Sequence, residues 1–251
     1  MKLGIISDIH GNVQALQAVL GALDAEGVDL ILCAGDLVCY GAQPNEVIET
    51  LIAWGIPAVM GNYDAAVAWD LPKASRKPSS PQTEPLKQAA LDWAKAAVRP
   101  QFKRYLRGLP FAADFQLGRR TLKMIHAGLD HLDDWYTPDE PEEMAYLAAR
   151  LREDAVILGH THRAFAYTPP KGTTDRGPLF INPGAVGRSL DGDPRASFAI
   201  FDTVQGQVTF HRADYALDEA VHQIRASGMP AEIALLIQHA ARRVEQVAGS
   251  R

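Results

Sequence analysis

Leu3-Gly4-Ile5-Ile6-Ser7-Asp8-Ile9-His10 opens the chain with an apolar run that ends on a carboxylate and an imidazole. The residues up to 62 repeat that pattern. Between 12 and 26, Val13, Leu16, Val19, Leu20 and Leu23 fall at spacings of three and four, one apolar helical face. Leu30-Ile31-Leu32-Cys33-Ala34-Gly35 is a second strand-like run, and it meets Asp36. Pro44 stands at a favoured helix start, with Val47, Ile48, Leu51 and Ile52 making the apolar face of a helix over 44–54. Ile56-Pro57-Ala58-Val59-Met60-Gly61 is the third run, and it meets Asn62. Residues 1–62 therefore read as β-α-β-α-β, which requires parallel strands joined by right-handed crossovers.

Beyond 62 the pattern changes. Residues 71–85 are rich in Pro, Ser and Lys and read as a surface loop. From 84 to 109 Leu86, Ala90, Trp93, Ala97, Phe102, Tyr105 and Leu106 keep helical spacing, with Pro100 dividing the stretch in two. The segment 71–109 is expected as a loop-helical insertion. Apolar and polar residues alternate over 111–125 on both sides of Gly118-Arg119-Arg120, as in a hairpin. A helix is predicted at 139–151, then a strand over 155–159, then short strands near 164–168, 178–182, 196–202 and 206–211. The C-terminal segment 214–251 is predicted helical over 216–247, broken around Gly228-Met229-Pro230. Parallel units early and antiparallel strands late predict a single α/β domain over 1–251, with two mixed sheets packed between helical layers.

Composition narrows the function. An apolar fraction of 47% supports a buried core, and no apolar run reaches membrane-spanning length. The start, Met1-Lys2-Leu3, runs into a strand without a signal-peptide pattern. The two cysteines, Cys33 and Cys39, have neither zinc-site nor disulfide-framework spacing, which predicts a reducing cytoplasm. A net charge of -5 and the lack of a basic-aromatic groove argue against long nucleic acids as partners.

At five strand ends the next polar side chain is a metal-ligating one: Asp8 with His10, Asp36, Asn62, His126, and His160 with His162. In open α/β sheets ligands gather beyond the carboxyl ends of strands. Asp8 and His10, two apart in an extended segment, are expected on one side. Each piece has a bland reading, since Asp, Asn and Gly are also turn and cap residues. Gly159-His160-Thr161-His162 is the most telling, because paired imidazoles directly after a buried strand are better explained by a metal. Together the seven side chains are too many for one ion and suit two ions sharing a carboxylate.

In this order the motifs D-x-H, G-D-x-x-x-x-x-G, G-N-x-D, H-x-G and G-H-x-H, followed by Asn182-Pro183-Gly184-Ala185-Val186-Gly187, resemble the calcineurin-like metallophosphoesterase superfamily, in particular its small bacterial and archaeal phosphodiesterases. The resemblance implies a four-layer α-β-β-α sandwich. It implies one metal held by Asp8, His10, Asp36 and His162, and a second held by Asp36, Asn62, His126 and His160. Carboxylate, amide and imidazole without thiolate suit Mn²⁺, the leading candidate, or Fe²⁺, Zn²⁺, Co²⁺ or Ni²⁺. The implied reaction is phosphoester hydrolysis by a hydroxide bridging the two ions, with Asp36, Asn62, Tyr63 and Asp64 at the catalytic centre.

One departure concerns the leaving group. Many members carry histidine after the motif asparagine, whereas this chain has Tyr63, a phenol with an ordinary pKa near 10. Tyr63 is expected either to shape the pocket, stacking on a base, or simply to pack. Substrates with low-pKa leaving groups or strained cyclic diesters then become the better fit. Asn182, Arg188 and Tyr40 are the candidate substrate contacts, Arg188 because a guanidinium clamps phosphate well; a turn-stabilising arginine and a buried tyrosine are the plain alternatives. Nucleotide phosphodiesters or small activated esters are the preferred substrates, phosphomonoesters of small metabolites the alternative, and a non-catalytic scaffold on the same fold the third reading. The C-terminal helices leave a homodimer open.

Overall fold

The structure is a computed structural model that describes residues 1–76, 81, 83–170, 172 and 177–240. The far end of the predicted closing helix, 241–247, and parts of the 71–85 loop lie outside these residues.

In chain order the elements are β1 (Lys2–Ile6), α1 (Val13–Ala25), β2 (Leu30–Cys33), α2 (Pro44–Trp54), α3 (Asn62–Ala68), α4 (Glu84–Ala97), α5 (Pro100–Arg107), β3 (Ala112–Leu117), β4 (Arg120–Ile125), α6 (Pro141–Ala149), β5 (Ala155–Ile157), β6 (Ala164–Tyr167), β7 (Leu179–Pro183), β8 (Ala196–Asp202), β9 (Gln207–Ala213), α7 (Leu217–Ala226) and α8 (Ala231–Gln238). One sheet has the order β2-β1-β8-β9 and the other β3-β4-β5-β7-β6. Both are mixed. β1 runs parallel to β2 and antiparallel to β8, while β4, β5 and β7 are parallel neighbours with antiparallel strands at both edges.

The period-two pleat sorts the strand side chains into layers. Leu3, Ile5, Leu32, Ala199 and Phe201 face Leu122, Met124, Ala155, Ile157 and Ile181 across the gap between the sheets. The alternate residues Ile6, Phe198 and Ile200 pack on an outer layer with α1, α2, α3, α4, α5, α7 and α8. Ile125, Val156 and Phe180 pack on α6 through Met144 and Leu147. The result is the four-layer arrangement. The predicted helical insertion is no appendage, for Ala90, Leu91, Phe102 and Leu106 join the same core as α1 and α2. Its indole Trp93 Nε1 also donates to Ser227 O at 2.9 Å, tying it to the C-terminal helices.

One predicted strand is corrected. Residues 56–61 form no ladder. They meet β2 at a single parallel bridge, Cys33 to Ala58. Pro57 has no N–H to donate, and Met60 N turns instead to Pro110 O at 2.9 Å. The run still delivers Asn62, now as the first residue of α3, a helix the apolar pattern did not predict.

Candidate metal centre

The site lies where four strand-end loops and the start of α3 meet, and its backbone is unusual. Asp8, His10, Asp36, His160 and His162 all have positive φ, between 50° and 65°. This corrects the expectation that Asp8 and His10 share a face through the pleat. β1 ends at Ile6, and both residues sit on a left-handed loop. Such a conformation costs a non-glycine residue roughly 1–2 kcal/mol and persists because the surroundings fix it. Asp8 N donates to Gly35 O at 2.9 Å, His10 N to Asp36 O at 2.9 Å, Gly41 N to His10 O at 2.7 Å, and Gly187 N to Asp8 O at 3.0 Å. Gly61 must be glycine here, since a Cβ would collide with the Asp36 carboxylate and backbone N.

The side chains converge in two groups: Asp8, His10 and His162, all buried, in one, and buried Asp36 and His126 with half-buried His160 in the other. In the first, His162 Nε2 is 3.3 Å and His10 Nε2 3.9 Å from Asp8 Oδ1, and the two Nε2 atoms are 3.2 Å apart. In the second, Asn62 Oδ1 lies 3.0 Å from both His126 Nε2 and His160 Nδ1. Asp36 joins the groups through one oxygen. Oδ2 lies 3.8 Å from His10 Nε2 and 3.5 Å from His126 Nε2, while Oδ1 accepts the Tyr63 N–H at 2.9 Å.

The partners behind these ligands fix their lone pairs. Three imidazoles meet a backbone carbonyl with Nδ1: His10 at Val38 O (3.1 Å), His126 at Ala34 O (2.7 Å) and His162 at Arg188 O (2.5 Å). A carbonyl only accepts, so Nδ1 carries the proton and Nε2 offers its lone pair inward. Asn62 Nδ2 donates to Ala74 O at 3.0 Å, which turns Oδ1 to the site. Asp8 Oδ2 accepts the His160 N–H at 3.0 Å, but its buried Oδ1 has no partner among the described residues.

That orphaned carboxylate oxygen, facing two imidazole lone pairs, fits a cation and little else. The electrostatics agree. Burial drives His10 down to about 4 and His160 to about 3, leaving both neutral and ligand-competent. Burial opposes charge on His126 too, but the adjacent Asp36 carboxylate outweighs it and lifts this histidine to about 9, so its Nε2 carries a proton that a cation would have to displace. Burial also works against ionised Asp8 and Asp36, yet His162 beside Asp8 and His126 beside Asp36 hold both below the ordinary carboxylate range. Asp8, His10, Asp36 and His162 would hold one divalent ion, and Asp36, Asn62, His126 and His160 a second.

Three other expected site residues take different places. Asn182 is fully buried and Nδ2 donates to Gly159 O (2.7 Å) and Thr161 Oγ1 (3.1 Å), while Oδ1 accepts Gly184 N (3.0 Å). It braces the histidine turn. Asp64 is buried and accepts Leu37 N–H at Oδ1 (2.8 Å) and Gly61 N–H at Oδ2 (3.0 Å), which staples the Asp36 and Asn62 loops together. Burial, then the Asp36 charge, raise its carboxyl to about 7. Tyr40 is 1% exposed, with its hydroxyl 2.5 Å from that of Tyr63, and supports the site from beneath. Arg188 lies with Cζ 4.3 Å over the Tyr40 ring. Arg195, by contrast, is a surface residue paired with Asp193 at 2.7 Å.

Sequence reasoning missed Trp135. Its ring meets His160 edge-on at 5.6 Å between centroids, and the residue is 37% exposed. Nothing in the sequence marked it beyond its place in the loop after His126.

The family signature of the calcineurin-like phosphoesterase superfamily domain matches residues 1–206. An uncharacterized protein of Methanocaldococcus jannaschii is 28% identical over 239 residues, 91% of this chain and 93% of its own. Phosphodiesterase YfcE of Escherichia coli K12 is 26% identical over 213 residues, 80% of this chain and 88% of its own. The crystal structure of a metallophosphoesterase from Sphaerobacter thermophilus superposes with a TM-score of 0.77 at 29% identity, covering 96% of this chain and 99% of that one.

Proposed function

This chain belongs to the calcineurin-like phosphoesterase superfamily, and we propose that it hydrolyses phosphoester bonds with two divalent metal ions, Mn²⁺ foremost, preferring phosphodiesters of nucleotides or small activated esters. The observation that carries the reading is the pair of ligand groups joined by Asp36 Oδ2, with Asp8 Oδ1 left unpartnered between two imidazoles. Bound there, divalent ions would supply Lewis acidity toward phosphoryl oxygens and lower the pKa of water to roughly 7.

The chain's own residues do the rest. The Tyr63 N–H fixes Asp36 Oδ1 so that Oδ2 serves both groups. The Tyr63 phenol is a poor proton donor, because burial and then the neighbouring Tyr40 push it well above its usual value. Leaving groups that depart without protonation therefore suit the site, and diesters of aryl alcohols meet that need. The indole of the partly exposed Trp135 beside His160 offers a stacking face for a base or aryl group, worth about 1–3 kcal/mol. The diesterase named among the relatives points the same way. Two free, buried cysteines suit a reducing compartment, the cytoplasm.

The test is turnover of bis-p-nitrophenyl phosphate, p-nitrophenyl phosphate and a nucleotide panel by protein stripped with chelator and reloaded with Mn²⁺. Diester turnover should require the ion and fall by more than about a hundredfold in Asp36→Asn. Ion-independent turnover, or full activity in that variant, would refute it.

A further inference from the structure

Asp133 is a buried carboxylate in the loop between His126 and α6. Its hydrogen bonds reach two consecutive residues of a distant strap. Oδ2 accepts the Ser75 hydroxyl at 3.1 Å and the Arg76 N–H at 2.6 Å, and Oδ1 accepts Arg76 Nε at 2.7 Å. Arg76 also donates to Asp134 Oδ1 at 2.8 Å. A buried carboxylate is costly unless it is fully bonded, so the strap is held against it in one arrangement.

The strap meets the site through the carbonyl just before it. Ala74 O accepts Asn62 Nδ2 at 3.0 Å. That carbonyl lies in the planar peptide unit it shares with Ser75, so pinning Ser75 and Arg76 sets its direction. A half turn of the Asn62 amide would exchange its oxygen for a nitrogen that donates only, with no lone pair for a cation. The Ala74 carbonyl selects the oxygen, 3.0 Å from both His126 Nε2 and His160 Nδ1.

The Asp133 loop leaves the second sheet and crosses to the other half of the fold. Leu129 and Tyr136 pack in the α6 layer, whereas Leu132 packs, like Ala74, on the core that holds α1 to α5. The Asp134 carboxylate rests on Gly128, two residues past His126, where a Cβ would collide with it. Trp135 meets His160 at 5.6 Å. The clasp therefore reaches Asn62, His126 and His160, which belong to one ligand group. Asp8, His10 and His162 of the other group are braced elsewhere, by the His160 N–H and the carbonyls of Val38 and Arg188.

We propose that Asp133 is a positioning residue for the ion of the Asn62 group. Through Ser75 and Arg76 it holds the Ala74 carbonyl, and that carbonyl keeps Asn62 Oδ1 turned to the site. The inference rests on the two-ion reading and adds a residue that carries no ligand of its own.

Metal binding tests it without turnover. Calorimetry and low-temperature electron paramagnetic resonance follow Mn²⁺ uptake by the full chain in wild type, Asp133→Ala, Asp133→Asn, Asn62→Asp and the double variant Asn62→Asp with Asp133→Ala. Asp133→Ala should weaken one of the two ions by about 10–100-fold and the other by less than about threefold. At the loading that fills the wild type, the spectrum of a coupled pair should then give way to that of isolated Mn²⁺. Asp133→Asn, which keeps one acceptor oxygen for the strap, should fall between, and it carries the comparison if Asp133→Ala does not fold in a thermal scan. In the Asn62→Asp background either side-chain oxygen can ligate, so losing Asp133 should there cost less than about threefold. Equal weakening of both ions, the same loss in both backgrounds, or unchanged affinities overturns the positioning role and leaves a residue that only stabilises the fold. A wild type that takes up a single ion overturns the two-ion reading itself, and the inference with it.

Discussion

Asn182→Ala removes a fully buried amide that braces the His160–His162 turn. Three hydrogen bonds go: to Gly159 O at 2.7 Å, to Thr161 Oγ1 at 3.1 Å, and from Gly184 N at 3.0 Å. The Thr161 hydroxyl can rotate, but the Gly159 carbonyl and the Gly184 amide are held by their backbone. Each buried orphan costs about 1–3 kcal/mol, and the missing atoms leave a small void as well. The expected destabilisation is roughly 2–6 kcal/mol, or about 4–24 °C in Tm for a domain of this size. Because the turn carries two of the proposed metal ligands, Mn²⁺ affinity should also drop, by about 10–100-fold. Differential scanning calorimetry with and without chelator, and Mn²⁺ titration, measure both. An unchanged Tm and Mn²⁺ affinity with a raised KM would refute the bracing role and return Asn182 to substrate contact.

Chelator should lower the melting temperature of the wild type, since ligands that bind only the folded state stabilise it by about 2.7 kcal/mol at a hundred times Kd; an Asp8→Asn protein should show a much smaller difference between the two conditions in a thermal scan. Gly61→Ala should abolish tight Mn²⁺ binding and destabilise by about 1–3 kcal/mol or more, because its Cβ collides with the Asp36 carboxylate; urea denaturation and metal analysis check this. Asp133 links pH to stability. Burial opposes its charge, but the Arg76 amide and guanidinium and the Ser75 hydroxyl hold its carboxyl below the ordinary range. With the folded value below the unfolded one near 3.9, its contribution is complete above that unfolded value and disappears as pH falls through the folded one. Stability of wild type relative to Asp133→Asn, followed by denaturation from pH 6 downward, should therefore shrink only in that acidic window.

Much of the fold was legible because burial leaves a periodic trace. The α1 face through Leu16, Val19, Leu20 and Leu23, the Pro44 start of α2 and the hairpin around Gly118 each follow from local spacing. The third strand was misread because an apolar run over 56–61 records burial and not hydrogen bonding, and Pro57 withholds the donor a ladder needs. α3 went unseen because its small residues Ala65, Ala66 and Ala68 are buried nearly all round and leave no amphipathic stripe.

The sequence by itself determined which side chains gather, for residue type and order at the ends of apolar runs mark out Asp8, His10, Asp36, Asn62, His126, His160 and His162. Only the tertiary structure decided how they are held. The carbonyls of Ala34, Val38 and Arg188 that fix three imidazoles are backbone atoms, present at every residue and so invisible in a string of side chains. The left-handed φ of Asp8 and His10 is imposed by hydrogen bonds to the carbonyls of Gly35 and Asp36 and from the Gly187 N–H, remote in sequence. Whether Asn182, Asp64 and Tyr40 touch a substrate or brace the loops depends on distances across the fold, where burial and partner geometry, not residue identity, set the role.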